Sequence, residues 1–128
     1  QLNLHGNALT SVEPLSHVPM ITELNLSSNE IGSMKGIEAL ALLTSIDISC
    51  NNLRSIVPLE GLTRLKRLIV AHNDISDLSG LSSPNSLTQL NLSNNNVSDL
   101  CELGCLAGCT ALQDLTLQGG GFGNPVCA

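Results

Sequence analysis

The stretch Leu24-Asn25-Leu26-Ser27-Ser28-Asn29-Glu30-Ile31 decides the fold, because its pattern of apolar residues and asparagine recurs along the chain. Four further copies place their apolar residues and asparagine at Leu2, Leu4, Asn7 and Leu9; Ile46, Ile48, Asn51 and Leu53; Leu68, Val70, Asn73 and Ile75; and Leu90, Leu92, Asn95 and Val97. The interval between successive asparagines is constant. A degenerate sixth copy follows after a longer interval, at Leu115, Leu117, Gly120 and Phe122. A fixed period of this kind predicts a stack of similar structural units.

Each unit is predicted to contain a short strand and a tight return. Leucine alternates with polar residues, as a strand requires, because successive side chains of a strand point to opposite faces. Between the strands the apolar residues keep a three-residue step, as in Met34, Ile37, Leu40 and Leu43. That step suits 3₁₀ turns, in which residues i and i+3 eclipse, better than a long α-helix. Stacked in register, the units form parallel strands around one leucine core.

The repeated asparagine has a structural reason. Where each strand turns into its return, backbone donors and acceptors lose their partners in the sheet, and one side-chain amide can satisfy both kinds. We therefore expect these side chains to form a structural ladder rather than a ligand site. The members of this asparagine ladder are Asn7, Asn29, Asn51, Asn73 and Asn95.

These blocks resemble the leucine-rich repeat family, in particular its 22-residue subclass, typified by the nuclear regulatory subunit of protein phosphatase 1 and by an axonemal dynein light chain. The resemblance covers nearly the whole chain. It implies an α/β solenoid with a curved parallel sheet on the concave side and short 3₁₀ or α returns on the convex side. It also implies a scaffold that binds a protein partner, with no enzymatic activity and no cofactor. Fold alone does not fix the function.

The length of 128 residues predicts one domain, residues 1–128, with about six repeats. Residues 119–128 are interpreted as the start of a C-terminal cap, because Gly123-Asn124-Pro125-Val126-Cys127 resembles the Asn-Pro-Val-Cys cap of intracellular, ciliary and centrosomal members. Gln1 stands directly inside a patterned segment, so we expect a longer parent protein. An uncapped N-terminal edge would promote self-association of this chain.

Charge and composition narrow the class of partner and the location. Five basic against eleven acidic residues give a net charge of −6, which disfavours nucleic acid and anionic membrane surfaces. No apolar run approaches the roughly 20 residues that span a bilayer. The five cysteines are an odd number, which favours free thiols and a cytoplasmic location. The family resemblance adds the cytoskeleton, in a cilium or centrosome.

Side chains between the core leucines form three columns on the predicted concave face. The first is Gln1, Glu23, Ser45, Arg67, Gln89 and Asp114; the second Asn3, Asn25, Asp47, Ile69, Asn91 and Thr116; the third His5, Ser27, Ser49, Ala71, Ser93 and Gln118. The candidate partner-binding residues are Glu23, Asn25, Asp47, Arg67, Ile69, Asn91 and Asp114. Arg67 and Ile69 together make a plausible anchor. The alternative is a solvated strand with one tolerated isoleucine.

Other chemistries receive little support from the sequence. Cys101, Cys105 and Cys109 would place three thiols on one helical face, but no histidine lies nearby and the spacing is not Cys-x₂-Cys. We therefore expect buried cysteines within a lengthened helix, and no metal site. The histidines occupy ordinary repeat positions, and no spacing suggests an activated nucleophile, so no catalytic residue is predicted. The histidines are His5, His17 and His72.

Two classes of function remain. The first is an interaction scaffold that docks a partner protein on the concave face, in a phosphatase-regulatory, ciliary or centrosomal assembly. The alternative is an extracellular recognition ectodomain of a leucine-rich repeat receptor or matrix protein. That alternative predicts disulfides and cysteine-rich caps in the parent protein, whereas the first predicts free thiols.

Overall fold

The computed structural model describes residues 1–57, 59–119 and 123–127. Within these residues six parallel strands form one sheet in chain order, each paired with its sequence neighbours. The strands are β1 (Leu2–Asn3), β2 (Glu23–Asn25), β3 (Ser45–Asp47), β4 (Arg67–Ile69), β5 (Gln89–Asn91) and β6 (Asp114–Thr116). This architecture confirms the predicted α/β solenoid. Gly120 and Phe122 of the sixth copy lie outside the described residues.

The register of the sheet follows the repeat. Leu24 pairs with Leu2 on one side and with Ile46 on the other. The same position continues through Leu68 and Leu90, and ends at Leu115. All of the internal members of this column are buried, so the leucine core is continuous from β2 to β5.

The returns are consecutive 3₁₀-type turns, as the three-residue step predicts. The N–H groups of Ile37, Leu40 and Leu43 each donate to the carbonyl three residues earlier, at 3.0 Å. These side chains and that of Met34 are fully buried, because residues three apart eclipse and face the core together. The 3₁₀ helices of the described chain are Glu13–His17, Ile37–Ala39, Ser79–Leu81, Gly104–Gly108 and Pro125–Cys127.

The fifth return contains the lengthened helix that the cysteine run predicts. Helix α1 (Leu100–Leu103) is capped by Asp99, whose Oδ1 accepts a hydrogen bond from the N–H of Cys101 at 2.8 Å. It runs directly into the 3₁₀ helix Gly104–Gly108. The lengthening places Leu103 against the core and leaves Leu100 71% exposed.

Each internal member of the asparagine ladder binds the backbone of neighbouring units, as Asn51 illustrates. Its Nδ2 donates to the carbonyls of Leu26, Ile48 and Ser49 at 3.0, 3.1 and 3.0 Å. Its Oδ1 accepts from the N–H of Ile31 at 2.9 Å. The side chain therefore ties successive repeats together. Equivalent bonds are made by Asn29, Asn73 and Asn95.

The two ends of the ladder differ from its middle. Asn7 is exposed, and its Nδ2 donates only to carbonyls of its own repeat. At the other end Asn124, which is 1% exposed, takes the ladder position of the sixth repeat. Its Oδ1 accepts from the N–H of Val97 at 3.0 Å, and its Nδ2 donates to the carbonyls of Leu92 and Leu117 at 2.8 and 2.7 Å. The segment interpreted as a cap thus supplies the amide that the sixth copy lacks.

Replacing Asn51 with alanine is expected to lower the free energy of unfolding by about 1 to 3 kcal/mol, because it strands buried backbone groups. Replacing the neighbouring, exposed Asn52 should change it by no more than about 0.5 kcal/mol. Urea denaturation of the two variants measures both effects. Equal midpoints would show that the ladder amide is not structural.

Candidate partner-binding face

The concave face consists of the side chains that point away from the leucine core along the six strands. Its first column is the most exposed of the three, since only Ser45 in it is half-buried. The exposed members are Gln1, Glu23, Arg67, Gln89 and Asp114. In the second column Asn25, Asp47 and Asn91 are half-buried. The third column is less accessible, because Ser27, Ala71 and Ser93 are buried.

Short turns fix the side chains of the second column. Oδ1 of Asn25 accepts hydrogen bonds from the N–H and the hydroxyl of the serine two residues later, at 2.9 and 2.6 Å. Asp47 makes the same pair of bonds at 3.0 and 2.6 Å, and Asn91 accepts from its serine N–H at 3.0 Å. Since Oδ1 is engaged in each case, Nδ2 of the two asparagines and Oδ2 of Asp47 are the polar atoms left free to bind a partner.

The fourth strand departs from this pattern and corrects one expectation. Ile69 and Ala71 replace the asparagine and serine, and they are only 8% and 6% exposed. Both lie outside the leucine core cluster, so they are on the concave face, as the register predicts. Ile69 is nevertheless too deeply buried to act as an exposed anchor.

Arg67 extends across its neighbours on the sheet. Its Nε donates to Oε1 of Gln89 on β5 at 3.1 Å, and its Nη1 donates to Oγ of Ser45 on β3 at 3.4 Å. Within the part of the chain that the structure describes, the one ion pair joins Lys35 and Glu13, at 4.0 Å. Arg67 is therefore held by neutral acceptors and keeps its charge available to a partner.

A hollow of about 170 Å³ opens on this face. Its walls come from β2, β3 and β4 and from Gln1, which directly precedes β1, and they include both acidic and basic side chains. The lining residues are Gln1, Glu23, Leu24, Asn25, Ser45, Asp47 and Arg67. The hollow therefore brings together four of the candidate partner-binding residues: Glu23, Asn25, Asp47 and Arg67. Asn91 and Asp114 lie on later strands.

The three clustered cysteines are less alike than predicted. Cys109 is buried and Cys105 half-buried, but Cys101 is exposed, which corrects the expectation that all are core residues. A hydrogen bond with Asp99 and its negative charge raise the pKa of the Cys101 thiol. Burial raises the pKa of Cys105. Both cysteines therefore favour the neutral thiol. The thiolate is the form that binds metals and acts as a nucleophile. Among the described residues no group of three potential ligands is placed to hold a metal ion.

The histidines make structural contacts. Nδ1 of His5 lies 2.7 Å from Oγ of Ser27. That hydroxyl already donates to Oδ1 of Asn25, so it offers its oxygen, not its proton, to the histidine. Nε2 of His72 lies 3.1 Å from Nδ2 of Asn94, and His17 ends a 3₁₀ helix. None of these contacts forms a nucleophile and base.

Comparison with family models identifies the class of protein that the fold and this face define. A model described as leucine-rich repeats in two copies matches residues 41–83 and 63–105, and a single-repeat model matches residues 17–41. The chain belongs to the leucine-rich repeat family, whose members are interaction scaffolds rather than enzymes. A search of curated proteins gave no significant match. No helix in the described residues is long and apolar enough to cross a membrane.

Solved structures include similar leucine-rich repeat chains. An internalin from Listeria monocytogenes is 27% identical with a TM-score of 0.77 over 91% of this chain and 34% of its own. Internalin C2 of the same species is 29% identical with a TM-score of 0.76 over 90% of this chain and 53% of its own. A chain of the Drosophila melanogaster SNF/U2A′ complex is 28% identical with a TM-score of 0.72 over 93% of this chain and 72% of its own. This chain thus spans about a third and about half of the two internalins.

Proposed function

We propose that this chain is a scaffold that holds a partner protein on its concave face. The observation that carries the proposal is Arg67, which neutral side chains hold in place beside a hollow lined by oriented polar groups. A charge without a partner, positioned in advance on a rigid sheet, is suited to recognition of another protein. One similar structure is itself described as part of a complex, which supports the same class of role.

The proposal extends to a cytoplasmic location and to a phosphatase-regulatory, ciliary or centrosomal assembly. It rests on the resemblance of Gly123-Asn124-Pro125-Val126-Cys127 to an intracellular cap and on the odd number of cysteines. Mass spectrometry after alkylation without a reductant, on the protein from its natural source, tests the cytoplasmic location. Alkylated cysteines support the cytoplasmic proposal, and protection of the same residues as disulfides supports the extracellular alternative.

Reversing the charge of Arg67 is expected to weaken partner binding at least about tenfold, or about 1.4 kcal/mol. Arg67→Glu should leave the fold intact, because the side chain is exposed. Affinity capture from cell extract, followed by titration of the captured partner, measures the change. Arg64→Glu is the matched control, since Arg64 is exposed but lies in a return segment outside the sheet.

The test changes Arg67 alone and leaves Ile69 in place, although both residues lie on the concave face. At 8% exposure, an aspartate in place of Ile69 would be buried and would destabilise the domain. If Arg64→Glu weakens capture and Arg67→Glu does not, the partner binds elsewhere. A second hollow of about 490 Å³ on the return side is then the surface to examine, lined by Lys35, Glu38, Val57, Glu60 and Gly61.

A further inference from the structure

Three carboxylates stand among neutral amides in the first two columns of the concave face, and two of them lie on neighbouring strands. Amides recur in the first two columns, at Gln1, Gln89, Asn3, Asn25 and Asn91. At the same two positions of the repeat stand Glu23 on β2 and Asp47 on β3. These strands are direct neighbours in the sheet. Glu23 pairs with Ser45 and Asp47 pairs with Asn25, so the two carboxylates are diagonal neighbours, whereas Asp114 lies apart on β6.

The hollow on the concave face brings these carboxylates to one place. Glu23 and Asp47 both line it. Oδ1 of Asp47 is engaged by Ser49, which leaves Oδ2 as the atom open to a ligand. Glu23 is exposed and makes no side-chain hydrogen bond within the described residues. Adjacent strands are about 4.8 Å apart and each residue advances a strand by about 3.3 Å, so the two diagonal positions are about 8 Å apart. One ammonium or guanidinium group can lie between their carboxylates and bind both.

The positive charge that lines the same hollow is not paired with either carboxylate. Arg67 donates to Gln89 and Ser45, and it forms no ion pair with either carboxylate in the part of the chain described here. Two negative charges thus face the hollow with hydrogen-bonding capacity unused. A cation supplied from outside would satisfy both.

We infer that the hollow receives a lysine or arginine side chain from a basic segment of the partner protein, held between Glu23 and Asp47. This inference rests on the proposed function, because it names the chemistry of the partner that docks on the concave face. Charge complementarity and the place of the two carboxylates carry it.

A random peptide library displayed on phage, panned on the immobilised chain, supplies the probe. We expect the recovered peptides to be enriched in lysine or arginine, and to bind Glu23→Gln/Asp47→Asn at least about tenfold more weakly. These substitutions preserve the fold, because glutamine and asparagine occupy the same positions on other strands. Asp114→Asn is the matched control: Asp114 lies on the same face, on β6, outside the hollow. Thermal melting confirms that each variant is folded.

The outcomes separate this inference from the proposed function. Acidic or uncharged peptides that lose binding with Arg67→Glu would overturn the inference and leave the concave-face function standing. Basic peptides that Asp114→Asn weakens as much as the double variant would indicate attraction to overall charge, and would also overturn it. Peptides that neither Arg67→Glu nor the double variant affects, or failure to recover any peptide, would overturn both.

Discussion

Replacing Ile48 with alanine is expected to lower the free energy of unfolding by about 2 to 5 kcal/mol. Ile48 is fully buried, and the equivalent residues of the flanking repeats, Leu26 and Val70, are fully buried as well. Truncation removes apolar contacts and leaves a cavity that the stacked neighbours can only partly fill. Because each repeat is stabilised by its neighbours, hydrogen exchange should accelerate in the second and fourth repeats too.

Leu100→Ala is the control for this prediction. Leu100 is 71% exposed, so its truncation should change the free energy of unfolding by no more than about 0.5 kcal/mol. Urea denaturation of both variants gives the comparison. An unchanged midpoint and slope for Ile48→Ala would contradict the register of the sheet, in which this side chain faces the core.

The sequence predicts the register and the returns because both depend on apolar residues at fixed intervals. Leu24, Ile46 and Leu68 align as the constant period of the repeat requires, and the three-residue step appears as 3₁₀-type hydrogen bonds. Burial of apolar side chains is the largest favourable contribution to folding, so a pattern that only this stack can bury determines the architecture.

The backbone conformation at the turns could not be predicted from the sequence, because residues of different types adopt it. The residue before each of four ladder asparagines has a positive φ of 54 to 57°, the left-handed region that favours glycine. These residues are Ser28, Cys50, His72 and Asn94. The stacked backbone imposes the conformation: the N–H of Cys50 donates to the carbonyl of Ala71 at 2.9 Å. No common residue type signals the position.

The sequence predicts the candidate site as a face, but not in its details. The alternation of the strands places Glu23, Asp47 and Arg67 on the concave side, and the strand register agrees with that position. Ile69 is buried although the alternation places it on the concave side, and the pattern of its own strand carries no signal for that burial. The role of Asn124 escapes prediction for a related reason, because its ladder position follows a longer interval than the regular period of the other asparagines.

Gly80→Ala is expected to lower the free energy of unfolding by about 3 kcal/mol, at the upper end of the cost of overpacking. Gly80 is buried in the 3₁₀ helix Ser79–Leu81. A Cβ atom added there would collide with the carbonyl oxygen of Ile56 and lie 2.6 Å from that of Val57. Both oxygens belong to the backbone of the preceding return, so no change of rotamer relieves the contact. The two returns would have to separate, and the leucine core between them would open.

Gly104→Ala is the matched control, because Gly104 also belongs to a 3₁₀ helix, Gly104–Gly108, and an added Cβ would meet nothing within 4 Å. Alanine there should be neutral or stabilise the chain by up to about 1 kcal/mol, since it is the better helix former. Thermal and urea denaturation of the two variants test the prediction together. If both variants melt at the same temperature, the returns are not packed backbone to backbone at Gly80, and the stacking of the third and fourth repeats must be looser than their hydrogen bonds indicate.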